Sequence, residues 1–123
     1  MFEIMVCTHF AAAHQLALSG RKCENLHGHN WKVEVFVRSE KLDPSGIVYD
    51  FGLLKQNVNT IMEELDHKFL NELKELFPDG SPSSERIAVY IAKGLAAMLP
   101  PSITVSKVNA WESDNSCATY WSD

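Results

Sequence analysis

The sequence predicts an α+β fold in which two helices cover one face of an antiparallel sheet. Segments in which apolar and polar residues alternate occur in pairs at both ends of the chain. Between these pairs lie two segments whose apolar residues recur three and four positions apart. Helices grouped between runs of strands, instead of alternating strictly with them, are typical of α+β folds. We therefore expect the order ββααββ and a four-stranded antiparallel sheet.

The first two strands form a predicted hairpin with a long, polar connection. The first runs from Phe2 to about Leu16, because every second residue is apolar or small, and Gly20 lies in the loop after it. The second strand shows the same alternation. Its apolar residues are Trp31, Val33, Val35 and Val37.

Each predicted helix begins at a residue that can cap it. Asp50 is the expected N-cap of the first helix and Ser83 of the second, and Pro100 and Pro101 stop the second. The expected buried stripes are Phe51, Leu54, Val58, Ile61, Met62 and Leu65 in the first helix, and Ile87, Ile91, Leu95 and Met98 in the second.

The last two strands follow these prolines. The third is predicted by strict alternation, with Ile103, Val105, Lys107, Asn109 and Trp111 on one face, and the fourth covers residues 116–121. Four strands leave two free edges, which closed assemblies remove by pairing edge to edge, so we expect a homo-oligomer.

Composition and net charge limit the classes of function to be expected of this chain. The chain has 123 residues, 46% of them hydrophobic, and a formal net charge of −5. This profile predicts one globular domain over residues 1–123 and argues against a nucleic-acid-binding protein, whose affinity needs a dense Lys/Arg surface. Three cysteines without a C-x-x-C pair, no predicted membrane span and no recognisable leader favour a reduced, cytoplasmic protein with a small-molecule substrate.

Three histidines form the sharpest chemical signal. His27 and His29 lie two residues apart on one strand, so they share a face, and His14 at the end of the first strand can join them across the hairpin. Surface polar residues are the alternative interpretation for an isolated H-G-H. Three neutral imidazoles without a fourth protein ligand are typical of a catalytic zinc site. His9 has no partner at metal spacing and is interpreted as structural.

Other candidates depend on their surroundings. Cys23 lies in a polar loop beside two cations, and a nearby cation or metal favours the reactive thiolate over a buried apolar cysteine. Asp66 and His67 follow the first helix, and they can interact only if the backbone has already left the helix there. Glu112 ends the third strand, where it is either a solvated acid or an acceptor for the paired N–H donors of a 2-amino-4-oxopyrimidine edge. Glu85 is explained equally well as a first-turn helix acid.

Together these residues resemble the 6-pyruvoyltetrahydropterin synthase family and, within it, bacterial 6-carboxytetrahydropterin synthases of queuosine biosynthesis. Six patterns agree in order along nearly the whole chain. They are FAAAH at 10–14 (family F-x-A-A-H), CENLHGH at 23–29 (C-x-x-L-H-G-H), VYDFGLLK at 48–55 (V-x-D-F-x-x-L-K), LDHKFLN at 65–71 (L-D-H-x-x-L-N), PSSE at 82–85, and Glu112 with Ser113.

The resemblance implies roles for most of these residues. Zinc would be bound by the three histidines, Cys23 would abstract a proton, and Asp66 with His67 would complete a relay. Pterin would be anchored by Glu112 together with Ser83, Ser84 and Glu85. The implied assembly is the tunnelling fold, in which trimers close a barrel and two trimers can stack into a hexamer. The implied triphosphate contacts, each otherwise an ordinary surface cation, are Arg21, Lys22 and Lys68.

The implied substrate is 7,8-dihydroneopterin triphosphate, and the leading product is 6-carboxytetrahydropterin. Three residues between Cys23 and His27 resemble the carboxy-type enzymes; the alternatives are a pyruvoyl-type synthase and a catalytically inert zinc- or pterin-binding module. A branch that forms hydroxymethyl-dihydropterin has glutamate in place of this cysteine and is disfavoured. Two departures, Ser83 and Ser113 in place of the family's threonines, affect pterin contacts and leave the metal residues unchanged.

Overall fold

The computed structural model describes residues 1–17 and 25–122. Five strands, two α-helices and a short 3-10 helix follow one another along the described chain. Their bounds are β1 Phe2–His14, β2 His27–Ser39, α1 Phe51–Leu65, β3 Lys68–Phe69, the 3-10 helix Leu70–Glu72, α2 Ser84–Ala96, β4 Thr104–Ser113 and β5 Ser116–Trp121.

The strands form one sheet in the order β3-β1-β2-β4-β5. The four long strands are antiparallel, as predicted. The sheet is nevertheless mixed and five-stranded, because the two-residue β3 pairs parallel to β1 through Ala12 with Lys68 and Ala13 with Phe69. Two residues are too few for a detectable alternation, so this strand has no signal in the sequence.

Both helices pack on one face of the sheet, which we call the core face. It carries the valines of β2, and α1 contacts β1 while α2 contacts β4 and β5. Asp50 and Ser83 cap the helices as predicted, since their side chains accept from the backbone N–H groups of Leu53 and Arg86. The α1 stripe is buried except for Phe51, which is exposed at the first turn, and α2 ends at Ala96, before the exposed Met98.

The alternation predicted for β4 is wrong in phase. Val37 pairs with Val105 and Phe36 with Lys107, so Ser106 is the extra residue of a β-bulge. The bulge moves the following even-numbered positions to the core face, where Val108 and Ala110 are buried. Within the described chain, neither α1 nor α2 has the length and apolar character needed to cross a bilayer.

Candidate metal centre and active site

The hairpin of β1 and β2 brings the three histidines together. In the antiparallel register His14 lies opposite His27, and Ala12 lies opposite His29. Because side chains alternate between faces, all three imidazoles point to the core face. They lie at the end of the sheet where β1 ends and β2 begins. The ring centroids lie 4.5 to 5.3 Å apart. The predicted three-histidine cluster is therefore present.

Backbone carbonyls set the orientation of two rings. Nδ1 of His14 lies 2.9 Å from the carbonyl oxygen of Pro82, and Nδ1 of His27 lies 2.8 Å from that of Asn25. A carbonyl only accepts, so each Nδ1 carries the proton and each Nε2 is the nitrogen that bears a lone pair. Carbonyl-bound Nδ1–H groups of this kind are the usual outer contacts of metal-ligating histidines.

A carboxylate joins the cluster from β4. Oε1 of Glu112 lies 2.7 Å from Nε2 of His29 and 3.5 and 3.6 Å from those of His27 and His14. Its other oxygen, Oε2, accepts a 3.3 Å hydrogen bond from the hydroxyl of Ser84 at the start of α2. The structure therefore places a carboxylate beside the three predicted imidazoles, where it could serve as a further donor.

Two bulges explain why the sequence did not reveal this position. The bulge at Ser106 reverses the alternation of β4, and a second irregularity opposite β5 leaves Glu112 between the paired residues Trp111 and Ser113. Bulges are frequent next to functional sites because they redirect a side chain. Strict alternation with Val105 as a core residue would have pointed this carboxylate away from the histidines.

The donor set fits a zinc-like ion. One ligand atom from each of the four side chains lies within 4.8 Å of all the others. Among the described residues, Nε2 of His14 and Nε2 of His29 are buried and make no well-aligned hydrogen bond. Buried polar atoms without a partner are costly. Imidazole nitrogen and carboxylate oxygen are both ordinary zinc ligands, so a bound ion would satisfy these atoms.

The surroundings of His29 favour the neutral form of its imidazole. Burial lowers the pKa of His29, against the opposing effect of the Glu112 carboxylate, and the neighbouring imidazoles lower it further. A neutral imidazole is the state that binds a metal. Trp31 supports the arrangement from below, because its fully buried indole meets the rings of His14 and His29 edge-on.

The Asp66–His67 pair lies at the outer edge of β1. Asp66 has left the helix with extended φ and ψ, and His67 has a positive φ of 58°, so these adjacent side chains face each other at 2.9 Å. The other carboxylate oxygen accepts a 2.8 Å hydrogen bond from the Ala11 N–H, which holds the pKa of Asp66 below its usual range. The interaction predicted from the sequence is present, on a backbone that has left the helix.

One residue of the pair, His67, and one of the cluster, His29, line a common open groove of about 490 Å³. Its lining includes His29, His67 and Lys68. Another cavity, of about 530 Å³, lies between α2 and residues 75–79 and shares no lining residue with the cluster. We therefore assign the candidate active site to the groove, where the titratable groups converge.

Of the remaining predicted site residues, only some contact the histidine cluster or its carboxylate in the described part of the chain. Ser84 contacts Glu112, whereas the hydroxyl of Ser83 caps α2 and Glu85 is exposed in its first turn. His9 is exposed on the face opposite the cluster, consistent with its exclusion from the metal site. Cys23, and with it Arg21 and Lys22, lies outside the described residues.

The fold and the cluster define a class: an α+β protein with a cluster of histidines, able to hold a metal ion, at one end of its sheet. The sequence matches the family described as "6-pyruvoyl tetrahydropterin synthase" over residues 3–123, and the chain belongs to that family. This result confirms the resemblance.

Named relatives agree with the assignment. A 6-carboxy-5,6,7,8-tetrahydropterin synthase of Synechocystis is 36% identical over 92% of this chain and 88% of its own length. The human 6-pyruvoyl tetrahydrobiopterin synthase is 40% identical over 80% of this chain and 70% of its own. The structure of Caenorhabditis elegans 6-pyruvoyl tetrahydropterin synthase superposes with a TM-score of 0.85 at 27% identity, covering 99% of this chain and 96% of that one. The predicted α+β fold of the subunit, that of the tunnelling-fold proteins, is confirmed.

Proposed function

We propose that this protein is a zinc-dependent 6-carboxy-5,6,7,8-tetrahydropterin synthase that supplies queuosine biosynthesis. It would convert 7,8-dihydroneopterin triphosphate and one water into 6-carboxytetrahydropterin, acetaldehyde and triphosphate. The observation that carries this proposal is the convergence of three histidine Nε2 atoms and one carboxylate, in a chain of the tetrahydropterin synthase family.

The histidine cluster would bind the metal. His14, His27 and His29 would hold zinc, which when bound acts as a Lewis acid that polarises substrate hydroxyls and makes neighbouring protons easier to remove. The hydrogen bonds from His14 and His27 to backbone carbonyls keep both Nε2 atoms directed into the cluster before substrate arrives. No nicotinamide is required, because the pterin ring is reduced while its own side chain is oxidised.

Proton transfer falls to a second group of residues. Asp66 orients the imidazole of His67 through the 2.9 Å contact at Nδ1, which leaves Nε2 to exchange a proton with substrate or with a thiolate. We assign Cys23 as the proton acceptor that works with this pair. The exposure of His67, at 83% of its side chain, leaves it accessible to a substrate or to a neighbouring subunit.

Pterin recognition is assigned to the start of α2 and the end of β4. The carboxylate of Glu112 can accept two parallel N–H bonds from the ring edge, and Ser84 already contacts it. Ser83 and Glu85 complete the proposed binding segment, with backbone N–H groups at the helix N-terminus nearby. Among the described residues, Lys68 lies beside His67 in the lining of the groove. We assign its ammonium group as a contact of the triphosphate.

A pyruvoyl-type synthase is the second candidate, because the human 6-pyruvoyl relative is 40% identical to this chain. Product analysis separates the two. Zinc-loaded protein is incubated with dihydroneopterin triphosphate, and the pterin and acetaldehyde are followed by mass spectrometry. Acetaldehyde with 6-carboxytetrahydropterin supports the proposal; pyruvoyl-tetrahydropterin without acetaldehyde favours the second candidate. Zinc binding without turnover would indicate a binding module.

The role of Cys23 has a matched control. Cys23→Ala should keep zinc and the fold but lower turnover by at least about 10²-fold, the effect typical of losing a general base. Cys117→Ala should turn over normally, because this thiol lies on β5 opposite Trp111, and partial desolvation raises its pKa, which disfavours the thiolate. Full activity of Cys23→Ala would remove this residue from the mechanism.

Assembly and location complete the proposal. We propose a homotrimer or homohexamer, since β5 presents an exposed edge with Trp121 65% accessible, and edge pairing between copies would cover it. Native mass spectrometry distinguishes the two assemblies from a monomer, which would contradict this proposal. The free thiols of Cys7 and Cys117 support a reducing, cytoplasmic environment.

A further inference from the structure

We propose that Asn71 is a positioning residue of the metal centre: its side-chain amide holds the backbone that follows His14 and so keeps this imidazole in a geometry that binds a metal ion. This inference rests on the proposed function, because it concerns the same three-histidine site. It adds a residue outside the histidine cluster, which acts through the backbone of Gln15.

His14 lies at a place where a strand is easily disturbed. It is the last residue of β1, and the pairing of β1 with β2 stops at His14 and His27. Strand ends open more readily than strand centres, because the residues beyond them add no ladder hydrogen bonds. A metal ligand must nevertheless keep one geometry. The chain that leaves His14 therefore has to be held by contacts other than the ladder.

The amide of Asn71, in the 3-10 helix, supplies such contacts. Its Oδ1 accepts a 2.8 Å hydrogen bond from the N–H of Gln15, and its Nδ2 donates a 2.7 Å hydrogen bond to the carbonyl of the same residue. A backbone N–H can only donate and a carbonyl can only accept, so one orientation of the amide satisfies both. The side chain therefore takes the place of a pairing strand just beyond the last residue that β1 pairs with β2 or β3.

Residues 81–82 hold the same part of the chain from α2. The carbonyl of Pro82 lies 2.9 Å from Nδ1 of His14, and the hydroxyl of Ser81 accepts a 3.0 Å hydrogen bond from the N–H of Ala17. The contact at Pro82 sets the rotation of the imidazole ring. The two bonds of Asn71 set the position of the backbone from which that ring projects, so the two contacts have separate effects.

Loss of the amide would move this backbone. A partly buried N–H or carbonyl that loses its partner is costly, which favours a shift of the chain toward another donor or acceptor. The fully buried ring of His14 would then shift with its backbone relative to His27 and His29. Residues that orient metal ligands typically contribute about 10-fold to 100-fold to metal affinity, and we assign Asn71 to this range.

The test measures the metal site directly in the complete protein. Asn71→Ala should bind zinc at least about tenfold more weakly than wild type in chelator competition. Its cobalt-loaded form should show a visible spectrum different from that of cobalt-loaded wild type, because the spectrum reports the arrangement of the ligands. A purely structural role would lower the melting temperature and leave both properties of the folded protein unchanged. Asn71→Leu keeps the side-chain volume without the hydrogen bonds and should show the same two changes.

Asn59→Ala is the matched control. The amide oxygen of Asn59 accepts a 3.2 Å hydrogen bond from Thr8, so this variant also removes an asparagine contact to β1, but one far along the strand from His14. It should keep the zinc affinity and cobalt spectrum of wild type.

Wild-type zinc affinity and an unchanged cobalt spectrum in Asn71→Ala would overturn the inference, and so would a wild type that binds no metal. If Asn71→Ala does not fold, the same two measurements on Asn71→Leu decide. Failure of the proposed function has a different signature: wild type then binds zinc without turnover, while the differences between wild type and Asn71→Ala in affinity and spectrum remain.

Discussion

The histidine cluster and the Asp66–His67 pair hold their imidazoles in two different ways. His14 in the cluster has no solvent exposure, and its ring is fixed by a carbonyl on one side and by Trp31 on another. His67 has 83% of its side chain exposed, and its imidazole is oriented by the single contact with Asp66. The first site is pre-organised, and the second is oriented but open.

This difference in exposure suits two different proposed roles, the binding of a metal ion and the transfer of protons. A metal ligand must stay in one geometry, so burial and outer hydrogen bonds are an advantage. A residue that transfers protons must reach substrate, so exposure is an advantage. Within the described chain the three imidazoles and the Glu112 carboxylate of the cluster already lie together, whereas the pair still needs the proton acceptor proposed at Cys23, in the same chain or a neighbouring subunit.

The largest expected effect comes from the buried site. His14→Ala should reduce zinc content and turnover to background, because it removes a ligand and leaves a polar cavity. The protein also loses the stability supplied by the metal, about 4 kcal/mol when free zinc is about 1,000 times Kd. Metal analysis, product formation and thermal unfolding measure this together. His9→Ala, on the opposite face, should match wild type in all three; a zinc-replete, active His14→Ala would contradict the comparison.

A smaller effect is expected at the exposed pair. His67→Ala should lower kcat by about 10²-fold, with KM and zinc content close to those of wild type, because proton transfer is lost and binding is not. Steady-state kinetics and metal analysis on the same sample show the split. A loss of zinc in this variant would mean that the two regions are not separate.

The smallest effect is a pH-dependent change in stability at Asp66. Its folded pKa lies below the ordinary value of 3.8, chiefly because the Ala11 N–H binds the carboxylate. The charge therefore stabilises the fold fully above pH 3.8, and this contribution is lost as the pH falls through the folded pKa. Asp66→Asn keeps an acceptor for Ala11 but no charge. Its melting temperature should fall below that of wild type at pH 7, and the difference should narrow as the pH is lowered below 3.8. A difference that does not change with pH would refute the assignment.

Much of the fold was predictable because periodicity and capping are local. The valines of β2 and the caps Asp50 and Ser83 followed from short windows of sequence. Strand β3 did not, since its two residues are defined only by their pairing with β1, which is distant in the sequence. The phase of β4 also failed, because the bulge at Ser106 depends on pairing with β2.

The candidate site also has a part that was predictable from the sequence and a part that was not. The spacing of His27 and His29, and the hairpin that brings in His14, made the three-histidine cluster predictable. The position of Glu112 beside the histidines was hidden by the irregular register of β4, and the contact of Ser84 with Glu112 depends on the packing of α2 against that strand. Sequence patterns report what one strand places on a face, and tertiary pairing decides what meets there.

The most direct test of the account is a zinc titration of product formation. Wild-type protein is stripped with a chelator and returned to activity by measured amounts of zinc, while 6-carboxytetrahydropterin and acetaldehyde are quantified by mass. We predict negligible turnover without zinc and a linear rise that stops at one zinc per chain. The same rate in stripped and reconstituted protein would contradict the assignment of the His14, His27 and His29 cluster as the catalytic metal centre.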